Sequence, residues 1–319
     1  MTEPLPLPGV GPDLDADLAR WVADPVRDVL VAAFGGTPDD MPTQALARLA
    51  WLDQFSERWD VRRGRLERDQ TAELTLSSQQ VGATMMTVDR LGMRTVGAPR
   101  YRDYDHVLAL GGLIRACFIR PAHAAHLMRN DLVRSASFIG LGGHRPFSDD
   151  ERRLARLAGL DELDSEFNAL DAGVRTAFDV TVAPSTHSHE ENSVGGSWTV
   201  HEYQTDSLQL TVAAAPSSEP HARRANTADA YRWLAEDLVH LTRGQRLLAV
   251  TTPIYVPAQH CAAVRMLSIP YGVTVDTIGT DPARVPEQWQ QDFSHTRYLM
   301  EIRSAIRGMR SLAEVRNNA

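Results

Sequence analysis

The chain has 319 residues and a formal charge of −8, from 33 basic and 41 acidic side chains, and every basic residue is arginine. Without a lysine amine it excludes Schiff-base aldolase, pyridoxal-phosphate, Walker-loop and protein-kinase chemistry. Its 43% hydrophobic and 23% charged content is that of an ordinary globular protein, and the acidic balance argues against general nucleic-acid binding.

Arginine keeps its charge and offers a planar fork for carboxylates and phosphates, so anion binding stays open even if the bias has a coding origin. Cys117 and Cys261 are too few for a disulfide framework. The start, Met-Thr-Glu-Pro-Leu-Pro, lacks the marks of a signal peptide, and no apolar run approaches the roughly 20 residues of a membrane span. A cytoplasmic protein without membrane association is expected.

In chain order, residues 1–97 read as a helical N-terminal subdomain after a proline-rich lead. Leu18, Trp21, Val22, Val26, Leu30 and Ala33 recur at helical spacing, as do Leu46, Leu49, Leu52 and Phe55. The charged run Arg58–Arg68 follows. One reading is a solvated helix face; the sharper one bends it over a ligand, with Arg62, Arg65 or Arg68 as a clamp, Gly64 for close approach and Trp59 stacking on a base. Gly97-Ala98-Pro99-Arg100 marks a boundary.

From 98 to 319 short apolar runs alternate with helical stretches. The runs are His106–Leu110, Ala136–Leu141, Leu208–Ala215, Leu247–Thr251 and Val273–Ile278; Leu299, Ile302, Ile306 and Met309 form a final docking helix. Nearly continuous apolar strands separated by helices imply a parallel sheet covered on both faces. The expected fold is α/β, Rossmann-like and doubly wound, with a mainly parallel sheet. Residues 160–205 break the rhythm and read as an insertion, with a hairpin, above the sheet.

Ligands of such sheets bind beyond the carboxyl ends of the strands, and four strand ends carry unusual residues. They are Gly111-Gly112 with Arg115, Gly142-Gly143 with Arg145, Glu219 with Asn226-Thr227, and Thr251-Thr252 with Tyr255. Paired glycines let a backbone approach a ligand, and a following helix start offers N–H groups to an anion. The bland alternatives are tight turns, a helix cap at Asn226, a Glu219–Arg223 pair and a β-branched strand end. No Gly-x-Gly-x-x-Gly is present, so nicotinamide and flavin are not expected.

These strand ends, with Glu151 after the second Gly-Gly, resemble the YdcF/SanA/ElyC family of Rossmann-like bacterial proteins. The match spans about 105–280. After Tyr255 the family's histidine position holds Val256, while His260 and Arg265 lie further along. The resemblance implies a soluble, YdcF-type protein that binds an anionic or nucleotide-derived molecule, with S-adenosylmethionine as a group donor. Catalysis would then fall to Glu219, as acid or base, and to His260 in place of the missing histidine. Two alternatives stay open: transfer or hydrolysis at a phosphoester, and a non-catalytic ligand-binding or assembly protein.

His187, His189, Glu190 and Glu191, with His201 or His221, have metal-capable groups, but a solvated loop is preferred and no metal is expected. Both cysteines read as buried and structural. Ser217 and Ser218 lack a Gly-x-Ser-x-Gly context.

Overall fold

A computed structural model describes residues 3–9, 13–61, 73–205 and 208–318. Four helices come first: α1 (Leu14–Ala23), α2 (Val26–Ala33), α3 (Ala45–Ser56) and α4 (Ser78–Arg90). Then follow β1 (His106–Leu110), α5 (Ile114–Arg129), β2 (Ser137–Gly142), α6 (Asp149–Leu157) and α7 (Glu166–Phe178). The strands β3 (Ser185–His189), β4 (Trp198–Gln204) and β5 (Gln209–Ala214) lead to α8 (Thr227–Trp233). The chain ends with β6 (Arg246–Thr251), α9 (Val256–Ala263), α10 (Ile269–Tyr271), β7 (Thr274–Gly279) and α11 (His295–Asn318).

Two compact units result: Met1–Thr95 with Pro253–Arg265 and Gln291–Ala319, and Val96–Thr252 with Met266–Gln290. Residues 253–265 and 291–319, expected in the α/β part, pack with the N-terminal helices. The reason is α11, whose stripe Leu299, Ile302, Ile306, Met309 and Leu312 is 0–2% exposed and lies on α3, α4 and α9. Side-chain caps fix the helix starts here: Asp13 accepts from the Ala16 N–H at 3.0 Å, and Ser77 with Gln80 forms a capping box. Trp59 is fully buried between Phe34 and Phe55, a core role rather than a stacking platform. Arg62, Gly64, Arg65 and Arg68 lie outside the described residues.

The second unit is built on a seven-stranded sheet of order β3-β4-β5-β2-β1-β6-β7. Neighbours from β5 to β7 run parallel, while β4 is antiparallel to both β3 and β5. The fold is thus mixed α/β with a mostly parallel sheet, consistent with a Rossmann-like arrangement. Residues 160–205 are no insertion above the sheet. They supply α7, which packs on α5, and the two strands that extend the sheet edge.

Val107, Ala109, Phe138, Val212, Leu248 and Val250 form one core with Ile114 and Cys117 of α5 and Leu170 and Val174 of α7. The alternate residues Leu108, Ile139, Leu247 and Ala249 are equally buried, so the central strands are covered on both faces. Among the described residues no helix is long and apolar enough to cross a membrane.

Candidate functional site

Strand order reverses between β1 and β6, since β1 and β2 continue outward to β5 while β6 leads to β7. The crevice beyond the carboxyl ends of β1 and β6 is therefore where a ligand of this sheet would enter. Gly111-Gly112, Gly142 and Thr251-Thr252 lie on that crest.

The protein fills part of it itself. A Cβ on Gly111 would lie 2.3 Å from Glu166 Oε1 and 2.9 Å from the Gly142 Cα; a Cβ on Gly142 would lie 3.0 Å from the same oxygen. The two glycines thus make room for the carboxylate of Glu166, the first residue of α7. Gly143, by contrast, faces open space.

Arg145 holds this arrangement. Its Nη1 and Nη2 donate to Glu151 at 2.6 and 2.8 Å, its Nε to Glu166 at 3.3 Å and its Nη2 to the Gly112 carbonyl at 3.0 Å. Glu151 Oε1 also accepts the Ile114 N–H at 2.9 Å, so the N-terminus of α5 already has a carboxylate on it. Burial opposes the charge on Arg145, but its hydrogen bonds to Glu151 and the charge of Glu166 outweigh it and hold the guanidinium protonated. Glu151 stays below the usual carboxylate range because Arg145 overcomes its burial. Glu166 goes the other way: burial lifts it from 4.5 to about 7 against the pull of Arg145.

That shift has a sign. Between the two values the folded state keeps a proton that the unfolded chain has released, so this group's stability is present below about pH 4.5 and lost as pH rises through about 7. The loss amounts to about 3 kcal/mol at 1.4 kcal/mol per unit. Glu166→Gln is expected to remove it. Urea titrations from pH 4.5 to 8 should show the variant gaining on the wild type as pH rises; parallel curves would contradict the assignment.

Arg120 closes the crest from α5. It is 2% exposed, and its guanidinium donates to the carbonyls of Leu110 (2.6 Å) and Gly111 (2.5 Å) and to Thr252 Oγ1 (3.2 Å). Among the described residues, two fully buried hydroxyls have no hydrogen-bond partner: Thr251 Oγ1, in the last residue of β6, and the Tyr231 phenol of α8. Burial pushes that phenol up, and the charge of Arg120 pulls against it. Arg115, on the first turn of α5, stands apart. It is half-buried, its Nε has no partner among the described residues, and burial lowers its pKa with no carboxylate among those residues to offset the effect.

The other expected residues serve local structure. Asn226 caps α8, accepting from the Ala228 and Asp229 N–H groups at 2.8 and 3.2 Å, and Thr227 is the first residue of that helix. Glu219 is exposed and pairs with Arg223 at 3.0 Å. His260 and Tyr255 belong to the other compact unit. His260 is 0% exposed, with Nε2 at 2.8 Å from the Pro8 carbonyl, and Tyr255 accepts a hydrogen bond from Arg297 at 2.8 Å. The structure therefore does not gather Glu219 and His260 into one acid–base pair within either unit.

Among the described residues no three or more His, Cys, Asp or Glu side chains gather as a metal site would need. His187 sits beside Glu202 at 3.4 Å, and His201 binds Asp171 at 2.9 Å. Both cysteines are buried, and burial raises both thiols.

Glu166 and Arg120 were missed in the sequence, yet each carried a signal. Glu166 falls in helical register with Leu170, Gly173 and Val174, and Arg120 with Cys117 and Ala124, all on buried faces. A charge inside an apolar stripe marks a group with an internal partner or a function.

A family model described as the Rv3785 N-terminal domain matches residues 10–92. The chain is also similar to the uncharacterized protein Rv3785 of Mycobacterium tuberculosis (strain ATCC 25618 / H37Rv), 29% identical over 92% of this chain and 88% of that one. The uncharacterized protein Mb3814 of Mycobacterium bovis (strain ATCC BAA-935 / AF2122/97) matches with the same figures. No solved structure matches.

These matches overturn the YdcF/SanA/ElyC resemblance, because the similarity runs to Rv3785 proteins instead. The motifs behind that resemblance have separate physical sources. The Gly-Gly turns admit Glu166, Asn226 caps a helix, and Tyr255 bonds Arg297.

Proposed function

We propose that the Rossmann-like α/β unit binds a small anionic molecule at the β1–β6 crest, and that the protein is an enzyme acting on it in the cytoplasm. Arg115 is the observation that carries this reading. A half-buried guanidinium with no counter-ion among the described residues costs stability, and an incoming carboxylate or phosphate offsets that cost with a charge-assisted pair. Glu166 is the group suited to proton transfer, because its carboxyl exchanges a proton near neutral pH. Thr252 offers a polar group on the same crest, and α1 to α4 belong to a helical N-terminal subdomain. S-adenosylmethionine and a phosphoester both carry an anionic group of the right kind.

Equilibrium dialysis of the full chain tests this with AMP and S-adenosylmethionine as probes. At least one should bind, and Arg115→Gln should weaken it about 10- to 100-fold, the worth of one charge-assisted contact. Binding of neither probe, or equal binding by the variant, would sink the proposal.

A second reading has its own observation. The glycine cradle and the α5 N-terminus are occupied by the protein's own carboxylates, which suits a ligand sensor on a catalytically silent sheet. Unchanged ligand after prolonged incubation with tightly binding protein would favour it.

A further inference from the structure

We infer that the ligand presents one compact anionic group to Arg115, a carboxylate or a phosphomonoester, and that the site refuses diphosphates. This rests on the anion-binding reading above and narrows it to a ligand class.

A Rossmann-type sheet receives a pyrophosphate at its first strand–helix turn, on the glycine backbone and the N-terminus of the helix that follows. Here that turn is Gly111-Gly112 and the helix is α5. Both halves of the seat are taken. Glu151 accepts the Ile114 N–H at 2.9 Å, and Glu166 Oε1 fills the space between Gly111 and Gly142. The two carboxylates with Arg145 stand where a pyrophosphate would stand.

Charge leads to the same result. Around the turn, Arg120 and Arg145 face Glu151 and Glu166, two cations against two anions. Both arginines are committed: Arg145 to the carboxylates, Arg120 to the carbonyls of Leu110 and Gly111 and to Thr252. A second phosphate pushed into this seat would meet like charges at close range with no free cation of the turn among the described residues, and such contacts repel strongly inside a protein. One anionic group can still use Arg115, whose Nε has no partner among the described residues. A planar fork of that kind grips a single carboxylate or phosphomonoester.

The test compares AMP with ADP, which differ by one phosphate, and adds NAD+ as a dinucleotide and S-adenosylmethionine as a carboxylate without phosphate. Dialysis of the full chain at pH 8 should show AMP or S-adenosylmethionine bound in an Arg115-dependent way, with ADP and NAD+ at least about tenfold weaker than the better probe. Which of the two binds separates phosphomonoester from carboxylate. Glu166→Gln, which removes one of the repelling charges, should narrow the gap between AMP and ADP where AMP is the ligand. ADP or NAD+ binding as tightly as AMP, and depending on Arg115, would overturn this inference and leave the anion site standing. A gap that Glu166→Gln does not change would also overturn it. Failure of every probe to bind through Arg115 would remove the underlying site itself.

Discussion

Arg145→Ala is expected to destabilise the protein by about 3–5 kcal/mol, the usual cost of leaving a buried charge without its partner. Two carboxylates lose their counter-ion at once. Glu151 is 4% and Glu166 13% exposed in their side chains, so water reaches neither freely. Among the described residues Arg120 is the other cation near Glu166, and its donors are committed elsewhere. The sign with pH follows from the same groups. Without Arg145 both carboxyls titrate higher in the folded state, so the folded protein takes up protons more readily on acidification. The penalty should therefore be largest near pH 8 and shrink towards pH 5. Arg145→Lys keeps the charge but loses the fork that spans Glu151, Glu166 and the Gly112 carbonyl, and should fall between. Urea unfolding of the three proteins at both pH values measures this. A loss below about 1 kcal/mol, equal at the two pH values, would mean that the cluster is not held by Arg145.

The parallel part of the sheet was legible because its strands are buried on both faces and read as apolar runs. β1 has the expected bounds, and β2, β5, β6 and β7 lie within one residue of theirs. β3 and β4 were not legible as members of the sheet. Ser185–His189 is exposed throughout and carries no apolar alternation to mark a strand. The crossover helix α7 was hidden for another reason: its buried face mixes Leu170 and Val174 with Gly173 and the charged Glu166. At the site, sequence order pointed to the glycine turns and the arginines behind them. It could not show that Glu151 and Glu166 would occupy the turns, because those contacts join residues far apart in the chain. His260 illustrates the same limit: its ring is fixed by the carbonyl of Pro8, 252 residues away.

Gly173→Ala provides a second large effect, and one that runs against helix propensity. In an exposed helix interior, alanine is better than glycine by about 1 kcal/mol. Gly82 in α4 is such a place, with nothing within 4 Å of an added Cβ, so Gly82→Ala should gain roughly that amount. At Gly173 a Cβ would lie 2.0 Å from the Cys117 carbonyl oxygen, 2.9 Å from its carbon and 3.2 Å from the Phe118 Cα. These are backbone atoms of α5, so no side chain can turn aside and the two helices must separate. The expected loss is about 4 kcal/mol, above the usual 1–3 for overpacking because the contact is backbone to backbone. Separation would also act at a distance. Glu166 starts the same helix two turns earlier, so moving α7 off α5 lifts its carboxylate from between Gly111 and Gly142. The variant should therefore lose part of the pH dependence assigned to Glu166 along with its stability. Denaturant titration against Gly82→Ala gives opposite signs if this is right. A Gly173→Ala protein as stable as the wild type would show that α5 and α7 are not in backbone contact, and the seat they form for Glu166 would have to be redrawn.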